Sequence, residues 1–213
     1  MPLATVTVGT ILTLLLESTE IRRVMNYAFI SGIPTAGKSY LGKKLAEEMG
    51  IVWIALDDFR EEMKKDPVTE YWVNFYWNQD PATYFATTSY EQQWEDHVKQ
   101  SEAFWAPTKA YMESVMADHD AVVFEGVNLL PHLVRELPFK GVYLLGRSLE
   151  ETIERNRREP RWSKDAEIQK IEAEHFYGCQ GPHFRSEAEK YGYKSYTDTA
   201  EAEKELRKLL GAQ

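Results

Sequence analysis

The run Gly32-Ile33-Pro34-Thr35-Ala36-Gly37-Lys38-Ser39 constrains this chain more than any other segment. It matches G-x-x-x-x-G-K-S and lies between an apolar stretch, Tyr27-Ala28-Phe29-Ile30-Ser31, and a helix-forming one, Lys38 to Met49. A short apolar run closed by glycine reads as a buried parallel strand. Gly32 and Gly37 permit backbone conformations and close approach that a side chain would block. Successive N–H groups then form a concave nest for phosphate oxygens, and the helix that follows adds its own free N–H groups and dipole. Lys38 is spaced to reach the β- and γ-phosphates, and the Ser39 hydroxyl to bind Mg²⁺. The whole run, with Tyr40 after it, is the expected site for ATP and Mg²⁺. A chance glycine turn would lack the strand before it and the helix after it.

Further strands are expected at Ile51 to Leu56, Ala121 to Phe124, Gly141 to Leu145 and, more weakly, Tyr193 to Thr197, with a closing helix at Ala200 to Leu210. Strands alternating with helices imply a five-stranded parallel sheet covered on both faces, an α/β fold. Residues 25–213 read as one domain. Residues 59–118 form a helical, aromatic-rich insertion on the substrate side, which Pro67, Pro81 and Pro107 are expected to break into segments. Residues 1–24 precede the pattern, either as a peripheral extension or as an amphipathic helix packed on the domain. Their apolar run, Val6 to Leu16, is too short to span a bilayer and lacks a basic leading region.

Three constellations surround the phosphate run. Asp57-Asp58-Phe59-Arg60 ends the second strand, where ligands of such sheets bind. Asp57, ahead of Asp58, is placed to take the proton of an attacking hydroxyl, Arg60 steadies an anionic substrate or the moving phosphoryl group, and Asp58 is expected among the substrate-binding residues. Either aspartate also fits as a helix cap. Glu125 and Gly126 end the third strand, so Glu125 is expected to hold Mg²⁺ or orient substrate, and Gly126 to turn the chain close to it. The plainer reading is a surface carboxylate. Arg155, Arg157, Arg158, Arg161 and Lys164 suit a lid over about residues 150–165, with Arg157 as the catalytic cation and Arg158 on the nucleotide. The alternative is a solvated helix face paired with Glu154 and Glu159.

A net charge of -9 argues against a general nucleic-acid or anionic-membrane coat, so the expected partner is a small-molecule substrate. One cysteine, Cys179, excludes an internal disulfide and fits a reducing cytoplasm. It has no identifiable activating neighbour and reads as an ordinary thiol. Tyr71, Trp72, Phe75, Tyr76 and Trp77 cover every side of a helix and read first as core or homodimer contact, second as a stacking wall. His97, His119, His132, His175 and His183 lack metal spacing and read individually as structural, although His175 and His183 flank a turn near the lid.

These residues resemble the P-loop kinase group that includes 2-phosphoglycerate kinase, over about residues 27–200. The likeness rests on the Gly32–Ser39 run, on Val123-Phe124-Glu125-Gly126-Val127-Asn128-Leu129-Leu130-Pro131, and on the arginines after Val142-Tyr143-Leu144-Leu145. It implies a three-layer P-loop NTPase kinase fold, ATP, Mg²⁺ and a small phosphorylated hydroxy acid as acceptor, with Asn128 in the substrate site. Asn128 stands where that group usually has His. The Asp57–Arg60 segment separately resembles the acceptor site of polynucleotide 5′-kinases, zeta toxins and antibiotic-phosphorylating kinases. The rival activities are therefore a nucleoside, nucleotide or polynucleotide kinase, with nucleic acid entering only as substrate, and an ATP-binding module that transfers nothing.

Overall fold

A computed structural model describes residues 26–211, so the segment 1–24 lies outside the described residues. Among those described, five strands form one sheet: β1 (Asn26–Gly32), β2 (Val52–Ala55), β3 (Ala121–Glu125), β4 (Lys140–Leu144) and β5 (Lys194–Tyr196). Their order is β2-β3-β1-β4-β5 and every pairing is parallel. The three central strands are the continuous apolar runs, because both of their faces are covered, and Phe29, Ile30, Val123, Phe124, Val142 and Tyr143 are wholly buried. The edge strands β2 and β5 are half-buried or exposed.

Helices α1 (Lys38–Met49), α2 (Arg60–Met63), α3 (Pro67–Asn74), α4 (Pro81–Thr87) and α5 (Tyr90–Asp118) precede β3. After it come α6 (Pro131–Val134), α7 (Leu149–Arg158), α8 (Ala166–His175), α9 (Gly181–Lys190) and α10 (Thr199–Leu209). Helices α1 and α10 pack on each other and on the sheet, while α5 and α9 pack on β3 and on β4 and β5 respectively. The result is the expected three-layer α/β arrangement with helices on both faces.

Two expectations need correction. The second strand stops at Ala55, and Leu56–Phe59 form one 3₁₀ turn that carries Asp57 and Asp58. Pro67 and Pro81 do start helices, each behind an aspartate whose side chain caps the first turn. Pro107 breaks nothing and sits inside the 29-residue α5. An interior proline costs about 3 kcal/mol, but α5 buries Phe104, Trp105, Thr108 and Met112 around it, and that packing outweighs the missing hydrogen bond. The insertion also has a small core of its own, Met63, Val73 and Phe104, against which Phe59 and Trp72 pack.

No helix of the described residues is long and apolar enough to cross a membrane.

Candidate active site

Sheet register brings the site together. Glu125, the last residue of β3, lies level with Ile30 of β1 and Ala55 of β2. Gly32 closes β1 opposite Leu144 of β4. The loop between β1 and α1 therefore opens at the crevice between β1, whose connection runs to β2 on one side, and β3, whose connection runs to β4 on the other, the usual ligand site of such sheets.

Local backbone explains the loop sequence. Gly32 has φ 114°, and a Cβ there would fall 2.0 Å from the Leu144 carbonyl oxygen, so only glycine fits. Thr35 also takes a positive φ, 62°, which is costly for a β-branched residue and concentrates at ligand-gripping turns. Gly37, at φ 93°, is the N-cap of α1 and offers no side-chain oxygen. By contrast α3, α4, α5, α7, α8 and α10 are capped by Asp66, Asp80, Ser89, Ser148, Asp165 and Asp198. The first N–H groups of α1 are thus left to an anion.

Lys38 is buried, and its Nζ donates to the Ile33 carbonyl at 2.8 Å. Burial lowers its pKa below the usual lysine range, against the opposing pull of the Glu125 and Asp57 carboxylates. Glu125 is buried as well and accepts a hydrogen bond from Ser39 Oγ at 3.0 Å. Burial raises its pKa, with the Lys38 charge opposing. Among the described residues no cluster of three or more His, Cys, Asp or Glu could hold a metal alone. The Ser39 hydroxyl beside the Glu125 carboxylate instead suits Mg²⁺, a hard cation that takes oxygen ligands and keeps substrate phosphates and waters among them.

A cavity of about 720 Å³ spans this loop and the insertion. Pro34, Thr35, Gly37, Lys38, Ser39 and Tyr40 line its loop end, with Asp57, Arg60, Glu125 and Arg158. Ile33 and Ala36 are buried beneath the loop and pack it onto the core. Asp57 Oδ1 and Arg60 Nη2 are 2.9 Å apart. Arg60 Nη2 also donates to Asn128 Oδ1 at 2.8 Å, while Asn128 Nδ2 donates to Gln100 and Ser101. Asn128 therefore spends its polar atoms fixing Arg60, outside the wall of the main cavity. Gly126 packs beside Leu56, where a Cβ would come within 3.3 Å of it.

Asp58 and Arg157 stand apart as well, both exposed and off the cavity wall, while Gly126 and Asn128 line only a small neighbouring recess. The lid cations that line the cavity are Arg155, Arg158 and Arg161. Arg155 Nη1 donates to the Thr35 carbonyl at 3.0 Å and pairs with Glu151 on its own helix. Cys179 behaves as expected of an ordinary thiol: its Sγ donates to the Tyr90 carbonyl at 3.2 Å, and burial pushes its pKa up to about 12.

The far end of the cavity is built from residues outside the expected site, among them Tyr76, whose second reading is a stacking wall, and His175, which flanks the turn near the lid. Tyr76, Tyr84, Phe85 and Trp162 meet there with His97, Gln100, Glu172, His175 and Gln180. Glu172 is buried and accepts from Asn156 Nδ2 at 2.7 Å. Burial raises its pKa to about 7, outweighing that hydrogen bond and the Arg161 charge. A carboxyl raised on folding stabilises the folded state fully below its ordinary pKa, and the contribution is lost as pH climbs through about 7. A shift of this size corresponds to about 3 kcal/mol. Glu172→Gln keeps an acceptor for Asn156 and has no charge to bury. Between pH 5 and pH 8 the midpoint of the parent is expected to change less favourably than that of the variant, by roughly 10 °C, the part that Glu172 contributes. Parallel melting curves at the two pH values check this.

No protein-family model and no curated protein matches the chain. Solved structures do. Shikimate kinase from Acinetobacter baumannii, in complex with shikimate, superposes with a TM-score of 0.51 at 16% identity, covering 90% of this chain and 96% of that one. A shikimate kinase from Bacteroides thetaiotaomicron gives 0.45 at 13% identity, covering 88% and 99%. Deoxyadenosine kinase from M. mycoides, with dCMP and dCDP bound, gives 0.44 at 12% identity, covering 88% and 100%. The first likeness carries the conclusion on architecture: this chain has the parallel-sheet P-loop kinase fold.

Proposed function

We propose that the protein is an ATP-dependent kinase that transfers the γ-phosphoryl group to a hydroxyl of a small molecule. The observation that carries this reading is the meeting, in one cavity, of an uncapped phosphate loop with Lys38 and the Asp57–Arg60 pair. The loop amides and Lys38 bind and orient the phosphates. Ser39 and Glu125 would hold Mg²⁺, which neutralises charge on the phosphate oxygens when bound. Asp57 accepts the proton of the attacking hydroxyl, and Arg60, steadied by Asn128, faces the charge that develops. Arg155, Arg158 and Arg161 take the lid role expected of Arg157, because they line the cavity and Arg157 does not. Positioning and electrostatics then supply the catalysis, since phosphoryl transfer asks little covalent chemistry of the protein.

The resemblance noted above favours a 2-phosphoglycerate-like acid as acceptor. The cavity offers such an acid Arg60 near the loop, a cation that already holds Asp57 and Asn128. Purified protein with Mg-ATP and a panel of hydroxylated compounds is expected to release ADP in an acceptor-dependent way. A protein that binds Mg-ATP yet releases no ADP with any acceptor is the non-catalytic module instead.

A further inference from the structure

The cavity has two chemically different ends. Its loop end is charged. Its far end, walled by the insertion, α8 and the turn after it, contributes Val73, Tyr76, Trp77, Tyr84, Phe85 and Trp162 as ring and apolar surface. Trp162, in the segment between α7 and α8, has Tyr76 and Tyr84 at 5.4 Å and Phe85 at 5.5 Å from its ring, each steeply inclined to it. These rings come from three separate pieces of chain and all line the same space.

Charge distinguishes the far end as sharply. No Lys or Arg of the insertion's helices α3 to α5, of α8 or of the turn after it lines the cavity. The arginines that do are each engaged with a carboxylate: Arg60 with Asp57, Arg155 with Glu151, Arg158 with Glu154 and Arg161 with Glu159. The one carboxyl at the far end, Glu172, repels an anion whenever it is ionised. Burial holds His97 and His175 neutral, with pKa values of about 3 and about 4. Arg161, next to Trp162 and paired with Glu159, is the cation whose charge reaches Glu172, so a phosphate or carboxylate there would lose its hydration and have to draw that arginine from its carboxylate.

Hydrogen-bonding capacity is present and unspent. His97, His175 and Gln180 are all more than nine-tenths buried in the cavity wall. His97 Nε2, His175 Nδ1 and Gln180 Oε1 have no protein partner, and each is itself covered by neighbouring atoms, so a ligand reaches it only after a side-chain rotation. Gln180 Nε2 lies 3.2 Å from His175 Nε2. With the amide donating across that contact, the His175 proton sits on Nδ1, leaving an N–H donor on His175 and a carbonyl acceptor on Gln180. Unmatched buried polar groups are costly, so a ligand that pairs with them gains both affinity and selectivity.

We infer that the acceptor is an uncharged, ring-bearing alcohol: its ring packs among Tyr76, Tyr84, Phe85 and Trp162, its hydrogen-bonding edge meets His175 and Gln180, and its hydroxyl points toward Asp57. This deepens the kinase reading and rests on it. The substrate class differs from the small phosphorylated acid that the sequence resemblance implies.

The test compares three sets of acceptors with Mg-ATP, following ADP release. One contains uncharged ring alcohols (nucleosides and hydroxymethylpyridine), one the acids 2-phosphoglycerate and glycerate, and one the cationic alcohol choline. Ring alcohols are expected to exceed the acids and choline by about 100-fold in kcat/KM. Trp162→Leu and the volume-conserving Gln180→Leu are each expected to raise KM for the ring alcohols about 10-fold, with much less effect on kcat and on Mg-ATP affinity. Preference for an acid or for choline overturns the inference, as does a Trp162→Leu variant that changes the melting point but no KM. Saturation-transfer NMR of the ring alcohols, run with Mg-ADP present, separates the two readings. Ring binding without turnover sinks the kinase and leaves the site, whereas Mg-ATP binding and turnover without ring binding sinks the site and leaves the kinase.

Discussion

Replacement of Lys38 by methionine is expected to lower phosphoryl transfer by about 10²- to 10³-fold, the cost of removing one preorganised cation from a developing negative charge. The Lys38 ammonium is buried, with its charge facing Glu125 and Asp57. Methionine fills a similar volume and removes the desolvation cost of the ammonium, but it also leaves the buried Glu125 carboxyl without its counter-charge and the Ile33 carbonyl without the Lys38 donor. The thermal midpoint of the variant at neutral pH is therefore expected to fall by a few degrees with the fold kept. Loss of turnover with a retained fold separates a functional lysine from a structural one, and initial rates with melting curves check both. A Lys38→Met protein that unfolds, or that turns over normally, contradicts the assignment.

Asp57→Asn carries the second large effect. Asparagine keeps the shape of the side chain and removes its capacity to accept a proton. Transfer to the acceptor is expected to fall by about 10²- to 10⁴-fold, the range for a general base. Affinity for Mg-ATP is expected to change little, because the proposed role of Asp57 is toward the acceptor and its ion-pair partner is Arg60, outside the phosphate loop. The Asp57–Arg60 pair is partly exposed, so its loss costs no more than about 1 kcal/mol of stability. A variant with normal kcat would return Asp57 to the role of a helix-end carboxylate and move the search for a base to Glu125.

What the sequence disclosed follows how each part of the site is made. The phosphate loop is contiguous, its glycines are required by backbone geometry and its lysine and serine follow them directly, so it is legible in one line of residues. Glu125 was legible because it ends β3, and Asp57 because it follows the end of β2 by two residues, and strand ends in a parallel sheet converge on one edge. The lid was harder. Arg155 and Arg158 are three apart and share a helix face, whereas Arg157 points off it. Which face docks on the loop depends on packing, and Arg155 reaches the Thr35 carbonyl.

The far end of the cavity was illegible for a different reason. Tyr84, Phe85, Trp162, Glu172, His175 and Gln180 belong to α4, the segment after α7, α8 and the turn after it, and only the fold brings them together. His97 read as structural when taken alone. A signal did exist: Gln93, His97, Gln100 and Ser101 recur at helical spacing and are all buried, a polar stripe on a face of α5 that an ordinary core would make apolar. Pro107 misled because local helix propensity was weighed without the packing that overrides it.

Titration calorimetry of Mg-ATP into the intact chain tests the central claim most directly, because every role above depends on the loop amides gripping a triphosphate. One site is expected per chain, tighter for Mg-ATP than for AMP, and weakened at least about 10-fold by Lys38→Met. Absence of heat and of binding to the parent protein, or affinity that ignores the Lys38 substitution, would contradict the account at its base.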